Sequence, residues 1–313
     1  MEKNIMKDIQ KHLEKIPSPQ NRQIFEKFIS TLNDEQLSAV LHDHKADGPL
    51  VILAGAGSGK TRVLTLRIVY LILTGVKPSN IFAATFTEKA AFEMKRRVIS
   101  LLDEVVAVGG FLPFAAWTAR QHRLYYYEKQ LWISTFHSAG LKLLLRFIHS
   151  TVSSAEDTDA AKTNLEMLGF PKDVKIITES LGKEFSRQIA VKLQLPTDDI
   201  SLEIARSYVY NQKSFLKKPK DVKKPSDLER FYRLYCQYQK ETGYLDFQDL
   251  INLSIELLEK KNDILLYYRK QIKHMLVDEF QDTSYAELAF LKTLAGTGRN
   301  IFVVGDDDQT IYS

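Results

Sequence analysis

The sequence is poor in cysteine and contains no long apolar run. Its 313 residues include a single cysteine, Cys236. One cysteine cannot form a disulfide within the chain, so a disulfide-stapled fold is excluded, and a zinc site built on paired thiolates is disfavoured. No segment approaches the roughly 18 uncharged apolar residues of a membrane-spanning helix, and residues 1–8 lack the apolar core of a secretory signal. We therefore expect a cytoplasmic protein.

Net charge is also small. The 43 Lys and Arg residues nearly balance 39 Asp and Glu residues, which leaves a formal charge of +4. A locally basic face is compatible with this total, but the total does not by itself predict nucleic-acid binding. The length and a hydrophobic content of 44% allow one large core or two ordinary cores, and two domains are favoured.

A glycine-rich stretch follows the apolar run at 51–53 and leads into a helical pattern. It consists of Ala54, Gly55, Ala56, Gly57, Ser58, Gly59, Lys60 and Thr61. Such a loop turns successive backbone N–H groups toward an anion, and the dipole of the following helix adds partial positive charge. In this pattern the lysine contacts the β- and γ-phosphates of a nucleotide, and the threonine hydroxyl binds Mg²⁺. Ala54 stands where the first glycine is usual, so the pattern is matched in a relaxed form.

An acidic pair, Asp278 and Glu279, follows a second apolar run at 274–277. A nucleotide hydrolase needs one carboxylate to hold the metal and another to orient or deprotonate water. A surface carboxylate pair after a buried strand is the alternative interpretation. The presence of both the pair and the glycine-rich loop favours a nucleotide site.

Five short apolar runs predict buried parallel strands in one sheet. They lie at 50–53, 81–85, 131–135, 273–277 and 300–304. Residues from about 150 to 240 instead alternate apolar and charged positions at helical spacing, with prolines as breakers. The pattern predicts an α/β fold in which a parallel sheet is flanked by helices and interrupted by an inserted, mainly α-helical subdomain.

Before the glycine-rich loop, Asn33 or Asp34 is predicted to cap a helix whose first turn contains Gln36. A primary amide can read the edge of adenine with one donor and one acceptor. An ordinary exposed glutamine is the alternative, and the residue alone favours that alternative.

Taken in order, these motifs resemble the UvrD/Rep/PcrA-type superfamily 1 DNA helicases. Residues 32–36 are similar to the family's adenine-reading motif, with Asp34 where proline is common, and the phosphate loop continues into Arg62 as the family's does. Residues 85–91 resemble the motif that opens the single-strand track, with Glu88 where asparagine is usual. The remaining similar blocks lie at 135–138, 245–250, 278–283 and 305–312. The resemblance spans residues 32 to 313 and is weakest between about 97 and 240.

The resemblance implies a RecA-like P-loop NTPase that uses ATP and Mg²⁺. The implied ATP-binding residues are Gln36, Ala54, Gly55, Ala56, Gly57, Ser58, Gly59, Lys60, Thr61 and Arg62. Thr61 and Asp278 would hold the metal. The implied catalytic residues are Lys60, Asp278, Glu279 and Gln309, with Glu279 as the base and Gln309 as the sensor of the γ-phosphate or its water.

The resemblance also implies single-stranded DNA and single-strand/duplex junctions as partners. Phe86 and Tyr312 would offer aromatic faces to bases, and Thr135 and His137 would hold phosphate or sugar. The alternatives are that Phe86 is core, that His137 caps the next helix and that Tyr312 packs locally. The sequence also contains a lysine stretch, which is expected either to contact duplex DNA or to be a merely solvated surface. It consists of Lys213, Lys217, Lys218, Lys220, Lys223 and Lys224.

The implied domain division has three parts. Residues 1–147 form the first part of the ATP-binding domain, residues 148–240 the inserted helical subdomain and residues 241–313 the second part. An extra segment at about 98–130 is aromatic, and a small satellite core is favoured there over a DNA or protein contact. Its aromatic residues are Phe111, Phe114, Trp117, Tyr125, Tyr126 and Tyr127.

Family members continue after the third motif into a second motor domain that supplies arginines, each typically worth about 10³- to 10⁵-fold in rate. We expect such a domain beyond Ser313 in a longer parent protein, with 3′-to-5′ polarity and a role in DNA repair, replication or recombination. The present chain is expected to be a monomer that binds Mg-ATP weakly, hydrolyses it slowly and does not unwind DNA. Two alternatives remain open: a non-motor, nucleotide-gated binding module for DNA or a partner, and part of a helicase–nuclease or phage-defence system.

Overall fold

The computed structural model describes residues 9–43, 48–114, 120–148, 164–171, 173–219, 225–296 and 300–306. The chain forms two compact units. The first unit comprises Met1–Thr135, Leu266–Thr283 and Leu294–Ser313, and the second comprises Phe136–Leu265 and Ser284–Thr293. No helix in the described ranges is both long and apolar enough to cross a membrane.

Helices and short strands alternate along the chain. In order they are α1 (Pro19–Ile29), α2 (Asp34–Leu41), β1 (Leu50–Leu53), α3 (Lys60–Leu73), β2 (Ile81–Thr85), α4 (Glu88–Ala107), α5 (Arg120–Gln130), β3 (Trp132–Thr135), α6 (Phe136–Ile148), α7 (Asn164–Met167), β4 (Lys175–Ile176), α8 (Glu179–Lys192), α9 (Asp199–Ser214), α10 (Asp227–Thr242), β5 (Tyr244–Leu245), α11 (Phe247–Lys260), α12 (Asn262–Gln271), β6 (His274–Val277), α13 (Tyr285–Ala295) and β7 (Asn300–Gly305).

The first unit is built on a five-stranded sheet in the order β1-β7-β6-β2-β3. Every neighbouring pair is parallel, so the predicted single parallel sheet is confirmed. The observed strands differ from the predicted runs by at most one residue at an end. At the β1 edge, however, Val51 and Leu53 are exposed, although the run was expected to be buried throughout. The carboxyl ends of parallel strands share one edge of a sheet, where ligands of such folds bind.

Apolar side chains cover both faces of this sheet. One face joins a core that includes residues of α1 to α4, and Phe25, Leu64 and Val98 are among its fully buried members. Alternate residues of the strands lie outside this core. Among them, the ring of Phe82 packs edge-on against that of Trp132 at a centroid distance of 4.9 Å. Burial on both faces explains why the inner strands of this sheet are near-continuously apolar, whereas one face of β1, at the edge, is exposed.

A buried arginine fixes α2 against α3. Arg67 is almost fully buried, and its Nη1 donates to the carbonyl of Val40 at 2.9 Å. Burial lowers its pKa to about 10. The hydrogen bond satisfies a cation that would otherwise be costly to bury. It thereby holds the short helix that carries Gln36 beside the helix that begins at Lys60.

The extra segment at about 98–130 extends the main core of the first unit and is not a separate satellite. Tyr127 is fully buried in that core, and Phe114 and Tyr126 pack against it. Asn21 braces the segment, since its side chain donates to the carbonyl of Phe111 at 2.6 Å and accepts from the same residue's N–H at 2.9 Å. Trp117 lies outside the described residues.

The second unit is mainly helical, with one short parallel pair, β4 and β5. Its helices α8, α9 and α10 share a core that includes Phe185, Val209 and Phe231. The unit is wider than the insertion expected at 148–240, because α6 and α11 pack closely in it. Gly140 permits that contact: a Cβ there would lie 2.5 Å from the carbonyl oxygen of Leu250.

Candidate nucleotide-binding site

The glycine-rich loop connects β1 to α3 at the carboxyl edge of the sheet. The N–H of Ala54 donates to the carbonyl of Gly305 at 3.0 Å and so continues the pairing of β1 with β7. Gly57 and Gly59 have φ of 77° and 86°, a left-handed region that favours glycine. Gly59 caps α3 with no side-chain bond, so the loop presents backbone amides at a helix N-terminus, which is the arrangement that binds phosphate.

Lys60 is the first residue of α3, and its side chain reaches back to the start of this loop. Its Nζ donates to the carbonyl of Ala54 at 2.7 Å and to the carboxylate of Asp306 at 3.1 Å. Asp306 follows β7 and is only 1% exposed. A buried carboxylate needs a cation, and Lys60 supplies it. The sequence predicts that this ammonium group of Lys60 contacts the phosphates of a nucleotide.

Thr61 and Asp278 bring two oxygen atoms together. The Thr61 hydroxyl donates to Asp278 Oδ2 at 3.3 Å, although the residues are 217 positions apart. Burial, followed by the charge of Glu279, raises the pKa of Asp278. Mg²⁺ prefers oxygen ligands and is commonly bound by one or two protein groups together with phosphates and water. The pair therefore fits Mg²⁺, and no cluster of three or more His, Cys, Asp or Glu side chains suited to a metal occurs in the described part of the chain.

Glu279 has an unusual backbone conformation. Its φ of 52° and ψ of 50° lie in the left-handed region, which a residue other than glycine adopts only when its surroundings enforce it. Its carboxylate accepts from the side chain of Gln281 at 2.8 Å. The side-chain carbonyl of Gln281 in turn accepts from the N–H of Asp306 at 2.9 Å. The candidate base is thus held within a network of polar groups.

Gln36 lies against the glycine-rich loop. Asn33 is the N-cap of α2, and it forms a capping box with Gln36. The amide nitrogen of Gln36 donates to the carbonyl of Ser58 at 2.7 Å. The side-chain amide retains further hydrogen-bonding capacity, so the predicted adenine contact stays compatible with this position. Arg62, also predicted to bind ATP, donates to the hydroxyl of Thr31.

Two predicted DNA residues of the first unit have very different surroundings. Phe86, directly after β2, is 61% exposed. Thr135, at the end of β3, is buried, and its hydroxyl donates to Glu88 at 2.7 Å. Phe86 is therefore available to stack on a base. Thr135 instead faces the carboxylate that stands where the family has asparagine.

His137 belongs to the second unit. Its Nδ1 lies 3.8 Å from Glu287, and its ring stands perpendicular to that of Phe247 at a centroid distance of 6.0 Å. Phe247 is 60% exposed. The sequence assigned no role to this exposed phenylalanine, although it lies within the block at 245–250.

The described lysines of the stretch, Lys213, Lys217 and Lys218, do not share one basic surface. Lys213 is buried, 3% exposed, and its Nζ lies 2.6 Å from both Asp246 and Asp249. Neither expectation for the stretch, duplex contact or a solvated surface, therefore holds for Lys213. Lys218 pairs with Glu256 at 3.3 Å. Five residues with predicted roles lie outside the described residues, namely Gln309, Tyr312, Lys220, Lys223 and Lys224.

Two residues of the site, Gln281 and Asp306, received no role from the sequence, although both lie in blocks that carried the resemblance. Glu279 lies only two positions from Gln281, but the contacts of Asp306 with Gln281 and with Lys60 are known only once β6, β7 and the glycine-rich loop are aligned. The available signal was position alone, since each follows the carboxyl end of a predicted strand.

Comparisons with known proteins agree with the fold. The family model of the UvrD/REP helicase N-terminal domain matches residues 32–313. The ATP-dependent DNA helicase PcrA of Leuconostoc citreum is 34% identical over 288 residues, which cover 90% of this chain and 33% of that protein. The ATP-dependent DNA helicase PcrA of Staphylococcus aureus is 33% identical over 291 residues, covering 91% and 34% respectively.

The chain therefore spans about a third of the length of the curated relatives it matches. The family match covers most of the chain and includes the loop at 54–61, the acidic pair and the end of β7. These residues lie at the carboxyl ends of the parallel strands of the first unit, as in a RecA-like domain. The chain belongs to the UvrD/REP helicase family, and residues 32–313 form its N-terminal domain.

Proposed function

We propose that the first unit binds Mg-ATP and hydrolyses it as the N-terminal motor portion of an ATP-dependent DNA helicase. One observation carries the proposal: the sheet brings Lys60 and Thr61 beside Asp278 and Asp306, although more than 200 positions separate them in sequence. These groups supply a cation for phosphate, two oxygens for a metal and an adjacent carboxylate, Glu279, for water. A phosphoryl-transfer site requires that combination.

The proposed roles follow from the chemistry of each group. The amides of residues 54–59 and Lys60 bind the phosphates, and Gln36 contacts adenine. Thr61 and Asp278 hold Mg²⁺, which when bound neutralises charge on the phosphates. Glu279 accepts the proton of the attacking water. Gln309, outside the described residues, is proposed to sense the γ-phosphate.

The motor function is proposed for a longer protein. The relatives are about three times as long as the matched segment, and we infer that a second motor domain completes the site with arginines. Such residues are typically worth about 10³- to 10⁵-fold in rate. We expect the 313-residue chain by itself to turn ATP over slowly and to unwind no duplex. Polarity from 3′ to 5′ and a role in DNA repair, replication or recombination are part of this proposal and rest on resemblance.

Replacing Glu279 by Gln tests the proposed chemistry. This change keeps the shape of the side chain and removes the base, so we expect a roughly 10²- to 10⁴-fold loss of turnover with little change in ATP affinity. Turnover is measured with the chain in excess over radiolabelled ATP, and affinity with a fluorescent ATP analogue. Glu259→Gln, a change at an exposed position of α11, is the control.

Lys60→Met separates binding from chemistry. Loss of a charged hydrogen-bond donor to phosphate costs about 1.5–3 kcal/mol, which is roughly a 10- to 150-fold weaker affinity. Wild-type turnover in Glu279→Gln together with wild-type affinity in Lys60→Met would refute an ATPase site here. Binding that is intact with no turnover in the wild type would instead support a nucleotide-gated binding module.

The DNA contact has a separate test in Phe86→Ala. Stacking on an aromatic side chain is worth about 1–3 kcal/mol per base, so affinity for a fluorescent oligothymidine should fall roughly 5- to 150-fold. Phe92→Ala removes another strongly exposed phenylalanine of the same unit outside the matching motif and serves as the control. Equal losses in the two variants would contradict a specific stacking role for Phe86.

A further inference from the structure

We propose that Gln281 is a positioning residue that fixes the carboxylate of Glu279 and ties it to the end of β7. This inference rests on the proposed role of Glu279 as the base. It assigns a role to a side chain that would bind neither nucleotide nor metal.

Both ends of the Gln281 amide are engaged. Its Nε2 donates to Glu279 Oε2 at 2.8 Å, and its Oε1 accepts from the N–H of Asp306 at 2.9 Å. An ionised carboxylate can only accept and a backbone N–H can only donate. The two neighbours therefore permit a single orientation of the amide, and that orientation fixes one oxygen of Glu279.

The approach of Gln281 to β7 depends on Gly305. A Cβ at Gly305 would lie 3.0 Å from Gln281 Oε1 and 3.5 Å from the Gln281 backbone nitrogen. A side chain at Gly305 would crowd Gln281 and require its amide to shift, so the absence of a Cβ favours the close approach of the strand to the turn at Phe280–Asp282. The left-handed backbone of Glu279 directs its side chain back toward Gln281 in the same turn. Local conformation and tertiary packing together create the pair of hydrogen bonds from Gln281 to Glu279 and to Asp306, which we call the Gln281 bridge.

Asp306 connects the Gln281 bridge to Lys60, the residue that follows the glycine-rich loop. Asp306 donates its N–H to Gln281, and its carboxylate accepts from Lys60 Nζ at 3.1 Å. A continuous series of hydrogen bonds therefore runs from Glu279 through Gln281 and Asp306 to Lys60. The cation proposed for phosphate and the base proposed for water are linked by side chains and one backbone amide. We infer that the position of Lys60 influences the orientation of Glu279 through this series.

Two variants distinguish a role of Gln281 in positioning the Glu279 carboxylate from a role in stabilising the fold alone. Gln281→Ala removes both hydrogen bonds. Gln281→Glu retains an acceptor for the Asp306 N–H but replaces the donor facing Glu279 by a carboxylate oxygen. If Gln281 positions the base, both variants lose about 10- to 100-fold in single-turnover rate, the size expected for one charge-assisted hydrogen bond. The apparent ATP affinity should change less than about threefold, because no nucleotide contact is removed.

A second measurement needs no turnover. The Asp306 N–H is held by Gln281, so its hydrogen exchange, followed by NMR in the free chain, should accelerate about tenfold or more in Gln281→Ala and stay slow in Gln281→Glu. Gln237→Ala is the matched control. Gln237 donates to Glu241 at the same distance of 2.8 Å, but on an exposed face of α10, and its loss should change neither exchange at Asp306 nor turnover.

The outcomes separate the two proposals. Wild-type turnover in Glu279→Gln would overturn the proposed base and this inference with it. Loss of turnover in Glu279→Gln, with normal rates in both Gln281 variants, would overturn the positioning role alone. An Asp306 N–H that remains protected in Gln281→Ala would show that the bridge does not exist. Thermal unfolding of each variant verifies that folding is retained, and equal stability with a lower rate supports positioning.

Discussion

Individual backbone conformations determine whether the glycine-rich loop can form. Gly57 and Gly59 lie at positive φ, whereas Gly55 does not. A side chain at Gly59 would also place its Cβ 3.0 Å from Gln36 Nε2. The conformation at Gly59 starts α3 at Lys60 and holds the loop against α2.

The first prediction concerns Gly59→Ala. An L-residue in the left-handed region costs about 1–2 kcal/mol, and the close contact with Gln36 adds to it. We expect the free energy of unfolding, measured with urea in the absence of nucleotide, to fall by roughly that amount. Gly55→Ala, in the same loop, meets no atom within 4 Å and should change stability by less than about 0.5 kcal/mol. Equal effects would contradict the conformational explanation.

Residue types predicted some local contacts correctly. The cap at Asn33 and the position of Gln36 in the first turn follow from hydrogen bonds between residues three apart, so the sequence contains both partners. Lys213 shows the limit. Its neighbours in sequence are polar and suggested a surface, but its partners Asp246 and Asp249 are more than 30 positions away.

At the scale of elements, Lys213 holds together the helices of the second unit. It lies near the end of α9 and donates to Gln239 of α10 at 2.8 Å as well as to Asp249 of α11 and to Asp246, the α11 cap. Burial alone would lower the pKa of Lys213, but the two carboxylates outweigh burial and raise it. The lysine therefore remains charged and joins three helices.

The second prediction is that Lys213→Met strongly destabilises the second unit. Removing one partner of a buried ion pair costs about 3–5 kcal/mol, because the remaining charges stay buried. Lys218→Met removes the pair with Glu256, in which Lys218 is largely exposed, and exposed pairs contribute about 0–1 kcal/mol. Urea unfolding followed by circular dichroism compares the two variants. A small effect of Lys213→Met would mean that the cluster is not essential to the packing of these helices.

Element identity was largely predictable, but the partners of each element were not. The apolar runs and the proline breakers identified the strands and the helical region, since both signals are local. The packing of α6 on α11 involves Gly140 and Leu250. The sequence placed these residues in the two parts of the ATP-binding domain, whereas the structure places both in the second unit. Contacts across such separations depend on the fold.

At the scale of the whole molecule, the described residues of the proposed nucleotide site lie in the first unit. Lys60, Thr61, Asp278, Glu279 and Asp306 all belong to it. Ligand that binds only the folded state stabilises it by an amount set by its concentration. Binding should therefore protect the first unit from opening.

The third prediction follows from this location. At an ATP concentration about 100 times the dissociation constant, with Mg²⁺, the first unit should gain about 2.7 kcal/mol. Hydrogen exchange measured by mass spectrometry should slow in peptides from residues 54–73 and 274–282, and peptides from α8 to α10 should change little. Lys60→Met, with its roughly 10- to 150-fold weaker affinity, should reduce the gain to about 0.3–1.4 kcal/mol at the same ATP concentration. Equal protection of both units, or none, would contradict a site confined to the first unit.

The sequence by itself determined the glycine-rich loop, the acidic pair, the five strands and the helical region, because each depends on residues close together in the chain. Family membership followed from the order of those blocks. Only the tertiary structure decided that Lys213 is buried, that the aromatic segment at 98–130 joins the main core, and that Gln281 and Asp306 connect Glu279 with Lys60. Those features depend on hydrogen bonds and burial between distant segments, and a residue's type does not specify its partner until the sheet and helices have aligned them.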